Sequence, residues 1–246
     1  MSAKDIIIKP ISSQNAAALV KRVHYSGKVV PNSQLHFGVF LNDRLEGVLS
    51  FGASMDKRKT VALVSGTKFH DFLELNRMAF TDRLPKNSES RAISICLKII
   101  KKNYPNIEWV ISYADGTQCG DGTIYRASGF VLTGIKKNTT ILKMPNGQII
   151  ARKTLDNTIS KTGEYLSSIA KKNGAKPLDG YQLRYIYFLN KDARKRLTVA
   201  EIPYKKIAEI GASMYLGKKR AGSKDSVASG FQSEEGGVNP TPALQT

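Results

Sequence analysis

Hydrophobic and polar residues recur along this chain with two different periods, and these periods predict its secondary structure. Alternating runs at 35–41 and 45–51 are typical of half-buried strands, and the turn residues Asn42 and Asp43 between them predict a β-hairpin. Residues 91–100 have the wider apolar spacing of an amphipathic helix. The remaining predicted strands are 5–11, 71–80, 107–115, a strand beginning at 131, 141–144 and 181–189, and the remaining predicted helices are 12–23, a short one within 120–130, 158–172 and a run within 204–216.

The segment from residue 74 to residue 130 organises the predicted fold. It reads as a strand, a loop, a helix, a second strand, a further loop and a short helix, followed by a strand from Val131. Two neighbouring strands that splay around such a helix leave a gap in which a donor molecule can sit. The whole pattern predicts an α/β (α+β) protein with a mixed, mostly antiparallel central sheet flanked by helices.

The composition of the chain divides it into three predicted parts. Residues 1–147 carry the regular pattern described above and are predicted to form the core. Residues 148–220 are richer in basic residues and are predicted to form an extension that packs on the core. Residues 221–246 contain Gly, Ser, Pro and acidic residues with few large apolar side chains, which predicts a disordered tail.

The charge of the chain favours a polyanionic partner. Lys and Arg number 38 against 20 Asp and Glu, which gives a formal charge of +18 and a pI near 9.9. This excess predicts contact with nucleic acid, although a ribosome, an acidic membrane surface or a merely soluble basic surface would suit the same charge. The basic runs that could contact phosphates are Lys57–Lys59, Lys136–Lys137, Lys191–Arg196 and Lys218–Arg220.

Cysteines and apolar runs bear on the compartment. The two cysteines, Cys96 in the predicted central helix and Cys119 in a Gly/Asp-rich loop, form no disulfide framework or zinc motif. The first residues lack the apolar run of a signal peptide, and no run approaches the roughly 20 apolar residues that span a bilayer. The sequence therefore predicts a cytoplasmic protein with no membrane partner.

Four side chains are candidates for catalysis. His24 and Tyr25 follow the first predicted helix, where an imidazole could bind a metal or move a proton but is more often structural. Asp115 ends a predicted strand, at the sheet edge where ligands of α/β proteins bind, and the Gly and Thr after it suggest turn capping as an equal alternative. Tyr125 lies on a short helix, where a phenol could protonate a leaving thiolate or simply pack in the core.

The turn at 83–90, before the central helix, is a candidate phosphate site. Free amides at a helix N-terminus, together with nearby cations, bind anions. Arg77, Lys86 and Ser90 could contribute, whereas a capped surface loop with Asn87 or Ser88 as the cap would have the same sequence.

Taken together, five motifs resemble the Mom family of bacteriophage DNA-modification proteins over roughly residues 15–190. They are His24-Tyr-Ser-Gly27, Glu74-Leu-Asn-Arg77, Ser88-Glu-Ser90, Ser112-Tyr-Ala-Asp-Gly116 and Ile124-Tyr-Arg-Ala-Ser-Gly-Phe130, joined by the aromatic run Arg184-Tyr-Ile-Tyr-Phe-Leu189. The resemblance implies a GCN5-related N-acetyltransferase-like fold. It also implies conversion of adenine to N6-carbamoylmethyladenine in double-stranded phage DNA, within the cytoplasm of the bacterial host, which protects that DNA from restriction.

Carried over by position, the resemblance assigns the candidate residues to roles. His24, Tyr25, Asp115 and Tyr125 would form the catalytic cluster. The same four could hold iron, or could work without a metal, with Asp115 or His24 as the base and Tyr125 as the acid. Arg77 and Ser90 would contact an acyl donor such as acetyl-CoA.

The donor and the activity both have alternatives. Residues 83–90 contain no Gly, whereas Gly permits close approach of a pyrophosphate, so another anionic acyl carrier such as a charged tRNA suits the chain as well. A conventional N-acetyltransferase acting on a protein or small amine, or a nucleic-acid-binding protein without catalysis, would share the fold class. A homodimer is a further expectation. The leading hypothesis is a cleft ringed by His24, Asp115 and Tyr125 that accepts an extruded purine.

Overall fold

The computed structural model of the protein describes residues 1–156, 158–215 and 218–219. The predicted disordered tail and Arg220 lie outside the described residues. The strands are β1 (Ile7–Pro10), β2 (Ser33–Leu41), β3 (Arg44–Gly52), β4 (Phe72–Phe80), β5 (Trp109–Asp115), β6 (Val131–Lys137), β7 (Ile141–Lys143), β8 (Ile149–Ala151), β9 (Lys176–Pro177), β10 (Tyr181–Phe188), β11 (Met214–Tyr215) and β12 (Lys218–Lys219). A 3₁₀ helix (Ala3–Asp5) precedes α1 (Ser13–Val23), α2 (Lys57–Val61), α3 (Ser88–Asn103), α4 (Thr123–Ala127), α5 (Arg152–Asp156), α6 (Leu166–Lys172), α7 (Lys191–Lys195) and α8 (Lys205–Glu209).

A seven-stranded sheet in the order β1-β2-β3-β4-β5-β10-β6 forms the centre of the molecule. Its neighbouring strands run antiparallel except for β4 and β5, which are parallel. The predicted mixed, mostly antiparallel sheet flanked by helices is therefore confirmed. The predicted β2–β3 hairpin is confirmed as well, because Asn42 and Asp43 both adopt the positive φ of a tight hairpin turn.

The parallel strands β4 and β5 diverge, as the sequence predicts. They pair only at their first residues, Phe72–Glu74 with Trp109–Ile111. Beyond that point the Ser112 hydroxyl donates to the carbonyl of Leu75 at 3.0 Å, and α3 connects the two strands. The ends of β4 and β5 therefore separate at the edge of the sheet where Asp115 lies.

Apolar side chains cover the sheet on both faces. α3 packs Ala92, Ile93, Cys96, Leu97 and Ile100 onto one face and forms the main core with residues of six sheet strands. On the other face, α1 packs on Val48 and Ala79, while Leu63, Val64 and Ala193 cover Trp109. The upper part of this second face, around Tyr113 and Asp115, is more exposed.

One strand of the predicted extension lies inside the main sheet. β10 pairs with β5 on one side and with β6 on the other. The residues between β6 and β10 form a small sheet, β8-β7-β9, with α5 and α6 around Leu142, Leu155, Ala170 and Ala175. The division of the chain at residue 147 stays a prediction.

The predicted helix over 158–172 is wrong in its first half. Only Leu166–Lys172 is helical, and Ile159 instead forms an antiparallel bridge with Tyr165. Gly163 has φ 81°, a left-handed conformation that interrupts a helix and turns the chain back. Across the described residues, no helix is long and apolar enough to cross a membrane.

Candidate active site

Asp115 lies at the end of β5 and joins two distant parts of the chain. Tyr25 follows α1, and its hydroxyl donates a hydrogen bond to Asp115 Oδ2 at 3.1 Å. About half of the Tyr25 surface is exposed, at 51%. Burial of the hydroxyl end, and then the Asp115 charge, raise the pKa of Tyr25, so the phenol stays protonated and acts as a donor.

The other carboxylate oxygen of Asp115 is saturated with donors. Oδ1 accepts from the Thr117 backbone amide at 2.9 Å, from the Thr117 hydroxyl at 2.5 Å and from Gln182 Nε2 at 2.8 Å. Gln182 lies directly opposite Asp115 in the β5–β10 pairing. These contacts fix the carboxylate plane and leave Oδ2 as the oxygen with accepting capacity to spare.

His24 is held beside Tyr25 in a defined tautomer. Its Nδ1 accepts from the Ser26 backbone amide at 3.1 Å and contacts the Ser26 hydroxyl at 2.9 Å, so the proton of the neutral ring is on Nε2. Burial, and then the positive charge of Arg77, lower the pKa of His24 to about 4. Near neutral pH the imidazole is therefore a hydrogen-bond donor through Nε2, which leaves Asp115 as the better-placed base of the two that the sequence suggested.

The remaining predicted catalytic residue, Tyr125, lies behind this cluster. It is only 7% exposed, and its ring packs against Phe130 and Tyr185 with centroids 5.5 and 5.4 Å away. Burial raises the pKa of Tyr125 to about 12. The structure thus brings His24, Tyr25 and Asp115 together at an open edge and places Tyr125 in the core, where its role as an acid stays a prediction.

Cys119 is a neighbour of the cluster that the sequence analysis did not select. Its backbone amide donates to the Asp115 carbonyl at 2.9 Å, and its thiol interacts with the Tyr25 hydroxyl. Burial, followed by the Asp115 charge, raises the pKa of Cys119 to about 11, so the thiol is protonated. Gln182 was missed too, because it does not belong to a residue type that a motif search singles out.

The two predicted donor contacts lie in different places. Ser90 lines a pocket of about 380 Å³ between the end of β4, the start of α3 and α4. Arg77 does not line it: its Nε donates to the Lys28 carbonyl at 2.8 Å, and its charge acts on His24 and Tyr25. The charge of Arg77 therefore acts on His24 and Tyr25, whereas Ser90 belongs to the pocket.

A family model described as the Mom protein family matches residues 5–206. This chain belongs to the Mom protein family. The methylcarbamoylase Mom of Escherichia phage Mu is 40% identical over 199 residues, which cover 79% of this chain and 80% of that protein.

Solved acetyltransferases resemble this Mom-family chain more distantly. An acetyltransferase of Bacillus subtilis in complex with CoA has 11% identity and a TM-score of 0.43, and the match covers 74% of this chain and 97% of the other. The ribosomal-protein-S18-alanine N-acetyltransferase of Escherichia coli has 8% identity and a TM-score of 0.42, covering 75% and 94%.

The described residues give no support for the iron site that the resemblance admitted. Among the described residues, no group of three or more His, Cys, Asp or Glu side chains is arranged to hold a metal ion. Of the four proposed ligands, Tyr125 is buried in the core, and the Tyr25 hydroxyl donates a hydrogen bond to Asp115. The His24 Nδ1 nitrogen already accepts the Ser26 amide.

The pocket beside α3 has mixed features for an anionic donor. The backbone amides of Glu89 and Ser90 lie in the first turn of α3, and Lys86 adds a positive charge. Asp82 and the Glu89 carboxylate line the same pocket and oppose a highly charged group. The residues fit a donor with a modest negative charge better than a naked pyrophosphate.

The predicted basic runs differ in how much of their charge is free. Three members of the run at 191–196 form ion pairs within the protein: Arg194 with Glu201, Lys195 with Asp192 and Arg196 with Glu108. In contrast, Lys136 and Lys137 at the end of β6 are exposed and form no ion pair with a described residue. The first run is therefore less available to a phosphate backbone than the sequence suggested.

Proposed function

We propose that this chain modifies the N6 amine of adenine in double-stranded phage DNA, yielding N6-carbamoylmethyladenine and protecting that DNA from restriction in the bacterial cytoplasm. The Tyr25–Asp115 pair at the open sheet edge of a Mom-family chain carries the proposal. The named activity of the phage Mu relative, a methylcarbamoylase, agrees with it. The net charge of +18 agrees with DNA as the substrate.

The arrangement of Asp115 suits the chemistry that adenine requires. The N6 lone pair is delocalised into the ring, so the amine becomes a better nucleophile if a base removes its proton as the new bond to carbon forms. Asp115 Oδ2 can accept that proton, because Oδ1 is already occupied by Thr117 and Gln182. Before this transfer the negative charge is on Asp115, and the Tyr25 hydroxyl stabilises it by donating a hydrogen bond. N6 bonds to the methylene carbon of the carbamoylmethyl group as the bond from that carbon to its carrier breaks, so that the carrier leaves with the electron pair. The pocket at Ser90 is the proposed place of this donor.

Mass spectrometry of nucleosides tests the proposed function. Plasmid DNA co-expressed with the wild-type chain is digested to nucleosides, and a species is expected in which a carbamoylmethyl group has replaced one hydrogen of deoxyadenosine. Asp115→Ala should remove this species without loss of folding, while Asp192→Asn, a change in an exposed ion pair on α7, should leave it in place. Only ordinary deoxyadenosine from the wild-type sample, together with acetyl-CoA turnover on amines, would instead favour the conventional acetyltransferase.

A further inference from the structure

A strip of polar side chains to which no role has yet been given lies on the sheet beside Asp115. Strand residues two apart share a face, so the cross-strand row of Asp115 and Gln182 is followed on the same face by a row of Tyr113 and Arg184. The two rows are about 7 Å apart, the length of two strand residues. Any substrate that reaches Asp115 from the open face thus lies within reach of Tyr113 and Arg184.

Arg184 is a positive charge that the protein holds in place without neutralising it. Its Nε donates to the Thr133 hydroxyl at 3.0 Å, and its Nη2 donates to the Thr133 carbonyl at 2.7 Å. Gly134 makes room for the group, since a Cβ there would lie 3.3 Å from Nη2. No carboxylate among the described residues forms an ion pair with it.

Such an arrangement is costly for a half-buried guanidinium. A cation withdrawn from water is normally paired with an anion, and burial lowers the pKa of Arg184. The hydroxyl and carbonyl of Thr133 are neutral, so they orient the guanidinium group of Arg184 but do not balance its charge. A phosphate, which binds guanidinium in a planar, charge-assisted geometry, would complete the site.

Tyr113 provides an aromatic surface next to this cation. It is 42% exposed, although its neighbours Ser112 and Ala114 are buried. Its hydroxyl interacts with Thr60, which ties the ring to α2. Unpaired bases stack on such exposed aromatic rings, and the gain is large enough to offset part of the cost of extruding a base.

We propose that Tyr113 and Arg184 form the binding site for the target nucleotide, with the Tyr113 ring stacked on the extruded purine and the Arg184 guanidinium bound to a phosphate of the same strand. The site rests on the proposed function, because it assumes that the purine amine is brought to Asp115. It assigns substrate binding to two strand residues that no basic run in the sequence contains.

Binding measurements on the full chain test the role of Arg184. The probe is a duplex oligonucleotide with one adenine opposite an abasic position. Its binding constant K is measured by fluorescence anisotropy at a series of salt concentrations. Losing one phosphate contact should make the slope of log K against log salt shallower by about 0.9 in Arg184→Ala. Arg184→Lys should keep the slope, because the charge remains.

Lys102→Ala, which removes an exposed charge from the last turn of α3 on the opposite face, should leave both slope and affinity unchanged. An unaltered slope in folded Arg184→Ala would overturn the phosphate contact.

The role of Tyr113 has a different signature. Tyr113→Ala should weaken binding to the unpaired-adenine duplex by roughly 5- to 150-fold, the range of one lost stacking contact, without changing the salt slope. Tyr113→Phe should bind as the wild type does, because the ring is retained. Equal affinity of Tyr113→Ala and wild type would refute the stacking surface.

The two proposals fail in distinguishable ways. If the wild-type chain yields no modified nucleoside, the proposed function fails. If the wild type modifies DNA and both alanine variants modify it equally well, only the nucleotide site fails.

Discussion

Replacing Gln182 with Glu is the sharpest test of how Asp115 is held. The change is nearly isosteric, yet it converts the donor that lies 2.8 Å from Asp115 Oδ1 into a second carboxylate. The lost hydrogen bond to a charged group costs about 1.5–3 kcal/mol. Repulsion between two half-exposed carboxylates about 4 Å apart adds about 1–4 kcal/mol, depending on the effective dielectric constant.

The pH dependence of stability identifies the charge. Repulsion raises the pKa of the introduced carboxyl, so the folded variant takes up a proton more readily than its unfolded form does. The repulsive penalty is complete above the raised pKa, shrinks as the pH falls through it and is gone below about pH 4, the value in an unfolded chain. At pH 8 the two contributions give a total loss of about 2.5–7 kcal/mol, which corresponds to a Tm lowered by about 5–28 °C for a chain of this size.

Thermal unfolding of three proteins at pH 8 and pH 4.5 provides the measurement. Gln182→Leu is the matched control, since it removes the hydrogen bond without adding charge and should show the same Tm deficit at both pH values. Titration of His24 affects all three proteins alike and cancels in the difference from wild type. Charge repulsion is ruled out if Gln182→Glu is as stable as Gln182→Leu at pH 8, or if its Tm deficit does not shrink on acidification.

Three further outcomes are expected. Tyr25→Phe should change Tm by less than about 3 °C, because the ring is half exposed, but should lower adenine modification at least about 100-fold if its hydroxyl serves Asp115 in proton transfer. An NMR titration of the His24 ring should have its midpoint near pH 4, because burial lowers the pKa of this group. The unfolded chain then binds a proton at a higher pH than the folded chain does, so folding stability is lost as the pH falls from about 6.5 toward 4. A midpoint near pH 6.5 would contradict the effect of burial. Gly122→Ala should lower the free energy of unfolding by about 2–4 kcal/mol in chemical denaturation, because Gly122 has φ 84° and a Cβ would lie 2.4 Å from the Tyr185 ring.

Local patterns in the sequence predict much of the fold. The turn at Asn42 and Asp43 defines the first hairpin, and the apolar spacing of residues 91–100 locates α3. Both features depend on neighbours within a few residues, which is why a single sequence carries them. The insertion of β10 between β5 and β6 is different, because it depends on pairing between segments about 70 and 50 residues apart.

The same limit applies to the site. Asp115 was predicted with two competing interpretations, as a ligand-facing carboxylate and as a turn cap; the structure shows the cap, and the ligand-facing role stays a prediction. Oδ1 caps the Thr117 amide, while Oδ2 faces Tyr25. Gln182 also donates to Oδ1, although it is a residue of the predicted extension with no local connection to the loop.

Ion pairing explains why the proposed nucleotide site could not be located from runs of basic residues. In the run at 191–196, the carboxylates of Asp192, Glu201 and Glu108 neutralise most of the positive charge, so a conspicuous cluster in the sequence is weak in the folded protein. Arg184 stands alone in an aromatic strand, yet the fold half-buries it and gives it only neutral partners. The cost of burying a cation makes the isolated arginine the stronger indication of an anionic ligand. We therefore propose phosphate binding at Arg184, a single strand position beside the row of Asp115, rather than at the charge-rich segment.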